Sequence, residues 1–325
     1  MRLSYIDQLK GVGILLVVMG HICQGRFMPQ SDFLFRFIYS FHMPLFIFLS
    51  GIFANKVNVA IANRNLIPYL KKKFFQLMIP FFIFGSLRGF MHGNFVDDFL
   101  IGKGHAGYWF FLVLFVLFII VGICEEIKYK SKIGNWIYII PYGFILLLEY
   151  IYPNVLFSEL FSIHYLYFNY PFFLLGLYLG KSQFLQHQLS KPYVFEITIV
   201  IYIVFFSINY NQNHLYLKHV TALCMVLFLY GAMRYYQPSD WFFRKLLFVG
   251  SKSMDIYVLH YFIFPFYPKN IYNHLLGWFS NVFVCDTVMY VLILISTVLF
   301  SYICISISSL LKRSSWISRY VFGAI

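Results

Sequence analysis

Lys10 and His21 are the two residues whose types and spacing first point to chemistry in this 325-residue chain. At about 100° per residue, eleven positions along a helix make nearly three whole turns, so both side chains share one face. The rise between them is about 16 Å, too far for contact. One face then carries a cation at one end and an imidazole, the side chain that titrates closest to neutral pH, at the other. The two groups line a common stripe, and ionisable side chains at membrane depth are functional candidates. Spacing alone fits a plainer reading equally well, with a lysine anchored at lipid headgroups and a histidine bonded to a neighbouring helix. Asp7 stands three residues before Lys10, where it can orient the ammonium group.

The helix that carries this pair must lie in lipid. Hydrophobic residues make up 61% of the chain and charged residues 11%, against about 45–50% and about 25% in soluble domains. A water-soluble core of this size cannot hide so much apolar surface. The 41 Phe and 27 Tyr suit acyl tails and membrane interfaces. Disorder, collagen-like repeats and a disulfide-rich secreted module are excluded by the same composition. The net charge of +13 is a matter of topology here and implies no nucleic-acid partner; membrane lipids are the expected surroundings. The five cysteines show no paired spacing and read as small buried hydrophobes. No removable signal peptide is expected.

A helix needs about 20 mostly apolar residues to cross a bilayer. That ruler predicts spans near 9–25, 33–54, 74–91, 107–124, 134–152, 163–181, 193–209, 216–234, 246–267 and 283–311. Pro265 and Pro268 weaken the ninth. With the N-terminus inside, Lys and Arg favour the inner segments by about three to one. The expectation is an all-α integral membrane protein of about ten transmembrane helices, both termini cytoplasmic. It forms a single membrane domain over residues 1–325, in the plasma membrane or bacterial inner membrane.

Ionisable groups at membrane depth are costly, and each marks a candidate site. His92, His105, His187, His214, His219 and His274 fall in loops or near span ends and read as interfacial; His164 is ambiguous. His21, His42 and His260 fall within spans. His42 precedes Met43-Pro44, where it could bond the backbone carbonyl that a mid-span proline leaves free. Ser50-Gly51 is a small pair that suits close helix packing. Lys71, Lys72 and Lys73 close an inner loop, either as an anchor or as point charges for phosphate. No metal is expected, since the deep histidines lie on separate helices with no neighbouring carboxylate.

The stretch from Tyr5-Ile6-Asp7-Gln8-Leu9-Lys10-Gly11 to Gly20-His21 resembles the first helix of the acyltransferase-3 family of membrane O-acyltransferases. A basic residue, ten residues and a histidine are the family's pattern there. Phe41-His42-Met43-Pro44-Leu45-Phe46 to Leu49-Ser50-Gly51 resembles the second helix of the fucose-acetylase-like branch. Gly107-Tyr108-Trp109-Phe110-Phe111-Leu112, Phe172-Phe173-Leu174-Leu175-Gly176 and Gly250-Ser251-Lys252 to Leu259-His260 follow in family order. The resemblance covers residues 5 to 260 and is closest to short members without an appended soluble domain.

What it implies is transfer of an acyl group, usually acetyl, from cytoplasmic acyl-CoA to a sugar hydroxyl of an envelope glycan or lipid-linked saccharide. Acetyl-CoA is then a co-substrate, with no tightly bound cofactor. By the same resemblance His21 is the essential histidine. Lys10 replaces an arginine common in the family, which keeps the charge and loses the bidentate fork. Many members carry Arg-x-x-Arg on the second inner loop; Lys72-Lys73-Phe74-Phe75-Gln76 stands there, without the second basic position. Lys10, Lys72 and Lys73 are expected to hold the CoA phosphates, with the pantetheine arm reaching towards His21. His21 then serves as general base on the acceptor hydroxyl, or as a nucleophile that carries the acyl group. Asp7, His42, Ser50, Trp109 and His260 are supporting candidates, Trp109 as part of an apolar wall. A polytopic transporter or flippase is the rival reading, since it too uses polar residues and broken helices at mid-membrane.

Overall fold

The protein is described by a computed structural model covering residues 3–24, 33–63, 65–91, 93, 95–101, 104–131, 133–151, 156–212, 215–237, 239–264, 271–278 and 281–323. The regular elements among these residues are helical. They run α1 (Ser4–Cys23), α2 (Phe33–Tyr39), α3 (His42–Ala54), α4 (Lys56–Ala62), α5 (Leu66–Met91) and α6 (Trp109–Ser131). Next come α7 (Ile139–Ile151), α8 (Leu156–Leu160), α9 (Ile163–Lys181), α10 (Gln183–Leu189), α11 (Pro192–Gln212) and α12 (Leu215–Tyr236). The last are α13 (Trp241–Ser251), α14 (Ser253–Ile263), α15 (Ile271–Trp278), α16 (Val282–Leu311) and α17 (Ser315–Tyr320).

Seven stretches are long and apolar enough to cross a membrane: Ser4–Cys23, Phe33–Ala62, Leu66–Met91, Trp109–Ser131, Pro192–Tyr210, Tyr216–Tyr236 and Phe283–Leu311. Each matches an expected span. The other three expected spans differ for local reasons. The one near 134–152 is the shorter apolar helix Asn135–Ile151. The one near 163–181 is α9, which carries Pro171 and the buried amide of Asn169. The one near 246–267 breaks into α13 and α14 at Lys252 (φ −108°, ψ 10°), and its Pro265 and Pro268 lie outside the described residues.

Two other boundaries move. The second expected span breaks at Ser40 and Phe41, between α2 and α3. Pro44 then falls at the third position of α3, where its missing N–H costs no helical bond. The third begins at Leu66, so Lys71, Lys72 and Lys73 lie on α5 itself and not in a loop.

The chain divides into two compact units, one of Met1–Phe46 with Phe184–Leu310 and one of Ile47–Gln183 with Leu311–Ile325. In the first, α1 is an interior helix that buries Ile6, Leu9, Ile14, Val17, Val18 and Ile22. Its backbone lies directly on that of α13. A Cβ on Gly11 would overlap the Leu246 carbonyl, and one on Gly250 would overlap the carbonyl of Asp7. Helices associate in lipid through such close backbone approach, because apolar burial drives little there. In the second unit α3 and α9 meet in the same way. Gly51 faces the Phe173 carbonyl, while Gly176 and Gly180, one turn apart, face those of Phe48 and Ile52. Asn55 seals the pair, donating from Nδ2 to the Gly180 carbonyl at 2.8 Å.

Candidate functional site

α1 is unbroken from Ser4 to Cys23, so Lys10 and His21 keep their three-turn separation on one face. At its N-terminal end Lys10 Nζ donates to Asp7 Oδ1 at 3.3 Å, with the carboxylate nearly buried and the ammonium partly exposed. Arg234 of α12 reaches the same end of the helix. It donates to the Tyr5 hydroxyl at 2.9 Å and lies over the Tyr5 ring. No motif in the sequence marks this contact, which depends on α12 passing beside α1.

The other end of α1 holds a polar cluster. His21 Nδ1 lies 3.1 Å from Gln24 Oε1, which also accepts from the Tyr39 hydroxyl at 3.0 Å. A carbonyl oxygen only accepts, so Nδ1 of His21 carries its proton and donates. In the neutral ring Nε2 is then the basic nitrogen. It faces the hydroxyl of Tyr261, 2.8 Å away on α14. Tyr39 can come this close because Gly20 has no side chain: a Cβ there would press on Ile38 and Tyr39.

His260 and His42 complete the cluster. The His260 ring lies 5.3 Å from that of His21 and 4.0 Å from that of Tyr261, wholly buried. Its Nδ1 donates to the Ile256 carbonyl one turn back, at 3.1 Å. His42, also buried, donates from Nδ1 to the Ile38 carbonyl at 2.8 Å, and its ring meets that of Tyr39. That bond is made across the α2–α3 break, to the carbonyl four residues back, which also accepts from the Phe41 N–H at 3.4 Å. The three deep histidines come from separate helices, with His21 and His42 both against the Tyr39 ring and His260 against His21. Tyr261, Gln24 and Tyr39 carry no sequence signal in a chain with 27 tyrosines.

The remaining candidates lie in the second unit. Lys72 is exposed on α5, whereas Lys73 lies with its ammonium 4.4 Å from the Phe118 ring centre. Ser50 sits beside Gly51, and it is Gly51 that meets α9. Trp109 stacks on Tyr165 at 4.1 Å and 12°, a packing contact at the start of α6.

Two features of this unit were not foreseen. Buried Glu125 of α6 accepts from Lys181 and from the Tyr138 hydroxyl, with Lys128 at 3.9 Å. His105 is buried and not interfacial, at 2% exposure. Gly104, His105, Ala106 and Gly107 all take positive φ, and this left-handed turn seats the ring so that Nδ1 donates to the Phe99 carbonyl at 2.8 Å. Burial lowers the His105 pKa below its ordinary value, against opposing bonds to backbone carbonyls. His164 pairs with Glu149 at 2.8 Å. His187 and His274 are exposed and His219 half-buried, while His92 and His214 lie outside the described residues. Among the described residues no three His, Cys, Asp or Glu side chains converge as a metal site. All five cysteines are buried.

A helical scaffold with membrane-length apolar helices and a hydrogen-bonded histidine cluster at one end of an interior helix fits a membrane enzyme. A family model described as an acyltransferase domain matches residues 3–306, so the chain belongs to the acyltransferase-3 family of membrane acyltransferases. It is 27% identical over 190 residues to the nodulation protein NolL of Sinorhizobium fredii (strain NBRC 101917 / NGR234), covering 54% of this chain and 48% of that one. It is 26% identical over 145 residues to the nodulation protein NolL of Mesorhizobium japonicum (strain LMG 29417 / CECT 9101 / MAFF 303099), covering 40% and 37%. The matches thus span half or less of these relatives' own length. No solved structure matches the chain.

Proposed function

We propose that the protein transfers an acyl group, acetyl in the simplest case, from cytoplasmic acyl-CoA to a sugar hydroxyl of a cell-envelope or exported polysaccharide. The observation that carries this reading is the state of His21. Its Nδ1–H is tied to Gln24, which leaves Nε2 as a base, on the same helix face as the Lys10–Asp7 pair three turns away. Lys10 holds a phosphate of the donor at the cytoplasmic end, oriented by Asp7. The pantetheine arm covers the rise along α1 and brings the thioester carbonyl to the histidine end. His21 takes the proton of the acceptor hydroxyl, and His260 and His42 keep the cluster packed.

Lys72 and Lys73 are proposed as further donor-binding charges, with exposed Lys72 the stronger candidate because Lys73 already engages an aromatic face. Ser50 and Trp109 are assigned to packing on the contacts of their neighbours. Both termini are proposed to be cytoplasmic, an orientation that the lysine and arginine distribution supports. The transporter reading has no observation in its favour once the family is known.

The test uses purified protein in liposomes with radiolabelled acetyl-CoA and a crude envelope glycan fraction. Label is expected to reach glycan with equal release of CoA thiol, and with no acetyl adduct accumulating on His21 when glycan is withheld. Glycan crossing the vesicle membrane with acetyl-CoA intact contradicts the reading.

A further inference from the structure

The base nitrogen of His21 is not open to a substrate. The Tyr261 hydroxyl stands on it at 2.8 Å, in the position that an acceptor hydroxyl would need for direct proton transfer. Tyr261 is also held in place. It is 7% exposed, and its ring lies 4.0 Å from His260, 4.8 Å from His21 and 6.2 Å from Phe264. Swinging it aside would unpack a helix face in which His260 and Tyr257 are also buried. A tyrosine hydroxyl, however, can donate one hydrogen bond while accepting another. Since Gln24 fixes the His21 proton on Nδ1, the Tyr261 O–H donates to Nε2 and its oxygen lone pair faces away from the imidazole.

We infer that Tyr261 is a catalytic residue that relays the acceptor's proton to His21. The inference rests on the acyl-transfer reading above. As the sugar oxygen attacks the thioester carbonyl, its O–H proton passes to Tyr261 Oη while the original Tyr261 proton passes to His21 Nε2. The phenol is regenerated as it forms, and the histidine becomes imidazolium. When the tetrahedral adduct collapses, the C–S bond breaks. The imidazolium proton then returns through the same hydroxyl to the CoA thiolate, giving CoA thiol, the acyl ester and the starting enzyme. Among the described residues, the other ionisable groups about this end include His260 and His42, both bonded to backbone carbonyls, the Tyr39 phenol, bonded to Gln24, and the Tyr257 phenol, its ring 5.8 Å from that of His260. The Asp7–Lys10 pair and Arg234 belong to the far end of α1. The Tyr261 hydroxyl stands 2.8 Å from Nε2.

The experiment compares wild type, Tyr261→Phe and His21→Ala with radiolabelled acetyl-CoA and the crude envelope glycan fraction, at matched folding by thermal unfolding. Tyr261→Phe is expected to lower kcat about 100-fold, the low end for a positioned proton-transfer group, with the acetyl-CoA KM unchanged. The solvent isotope dependence of wild type is expected to bow, as two protons in flight require, and that of Tyr261→Phe to be linear. Wild-type kcat or an unchanged curve in Tyr261→Phe, with His21→Ala inactive, overturns the relay and leaves the acyl-transfer reading standing. Full activity in His21→Ala overturns both. Should Tyr261→Phe not fold, 3,5-difluorotyrosine at position 261 keeps the ring and hydroxyl. A rate that follows the more acidic phenol supports the relay, and an indifferent rate overturns it.

Discussion

Gly250 lies against the main-chain carbonyl of Asp7, so that α13 touches α1 beside the residue that pairs with Lys10. A side chain at 250 has no flexible neighbour to displace, because what it meets is backbone. Gly250→Val therefore pushes α13 off α1. The expected cost is at least the ~1–3 kcal/mol of an overpacked core, read as a lower unfolding temperature in detergent. Acetyl-CoA binding should weaken in parallel, since Asp7 moves with the backbone. A variant as stable as wild type would show that the two helices are not in contact.

Glu125 gives a second stability prediction. It is the buried carboxylate between Lys181, Lys128 and Tyr138, and removing it strands a lysine beside an apolar core. Breaking a fully buried pair costs about 3–5 kcal/mol, and the partial exposure of Lys181 brings Glu125→Ala below that range. The double variant Glu125→Ala/Lys181→Met is expected to recover part of the loss, because neither charge is left alone. Equal stability of the single variant and wild type would remove the cluster from any structural role.

His105 predicts a pH dependence outside the spans. Burial lowers its folded-state pKa, so the unfolded chain binds the proton more readily. The resulting stability is complete above the ordinary histidine value of 6.5 and is lost as pH falls from there towards the lowered folded value. Thermal unfolding midpoints should drop over that interval in wild type, and His105→Gln should flatten the slope. An identical slope in both proteins would contradict the assignment.

Much of this fold was legible because lipid imposes a simple rule on composition, and the seven long apolar helices obey it. The misses lie where apolarity stops deciding. Lys252 breaks a run that hydropathy reads as continuous, and Ser40–Phe41 breaks another ahead of Pro44. The Lys10–His21 stripe was readable since helical periodicity alone sets it. His105 was not, because a left-handed turn spanning two non-glycine residues has no sequence signature and it is what buries the ring. Tyr261 follows His260 directly in sequence, yet only the packing of α14 on α1 shows that it covers the base nitrogen of His21.

The central claim is that α1 binds the donor at Lys10 and does proton chemistry at His21. Its most direct test is the rate of CoA release from acetyl-CoA in the presence of envelope glycan, measured for His21→Ala and Lys10→Ala beside wild type. The account predicts that His21→Ala loses at least about 100-fold in kcat, the scale of a lost acid–base group, and still binds acetyl-CoA. Lys10→Ala should keep much of kcat and need about tenfold more acetyl-CoA, the equivalent of about 1.4 kcal/mol of lost phosphate binding. Two variants with wild-type kcat and KM would contradict the account.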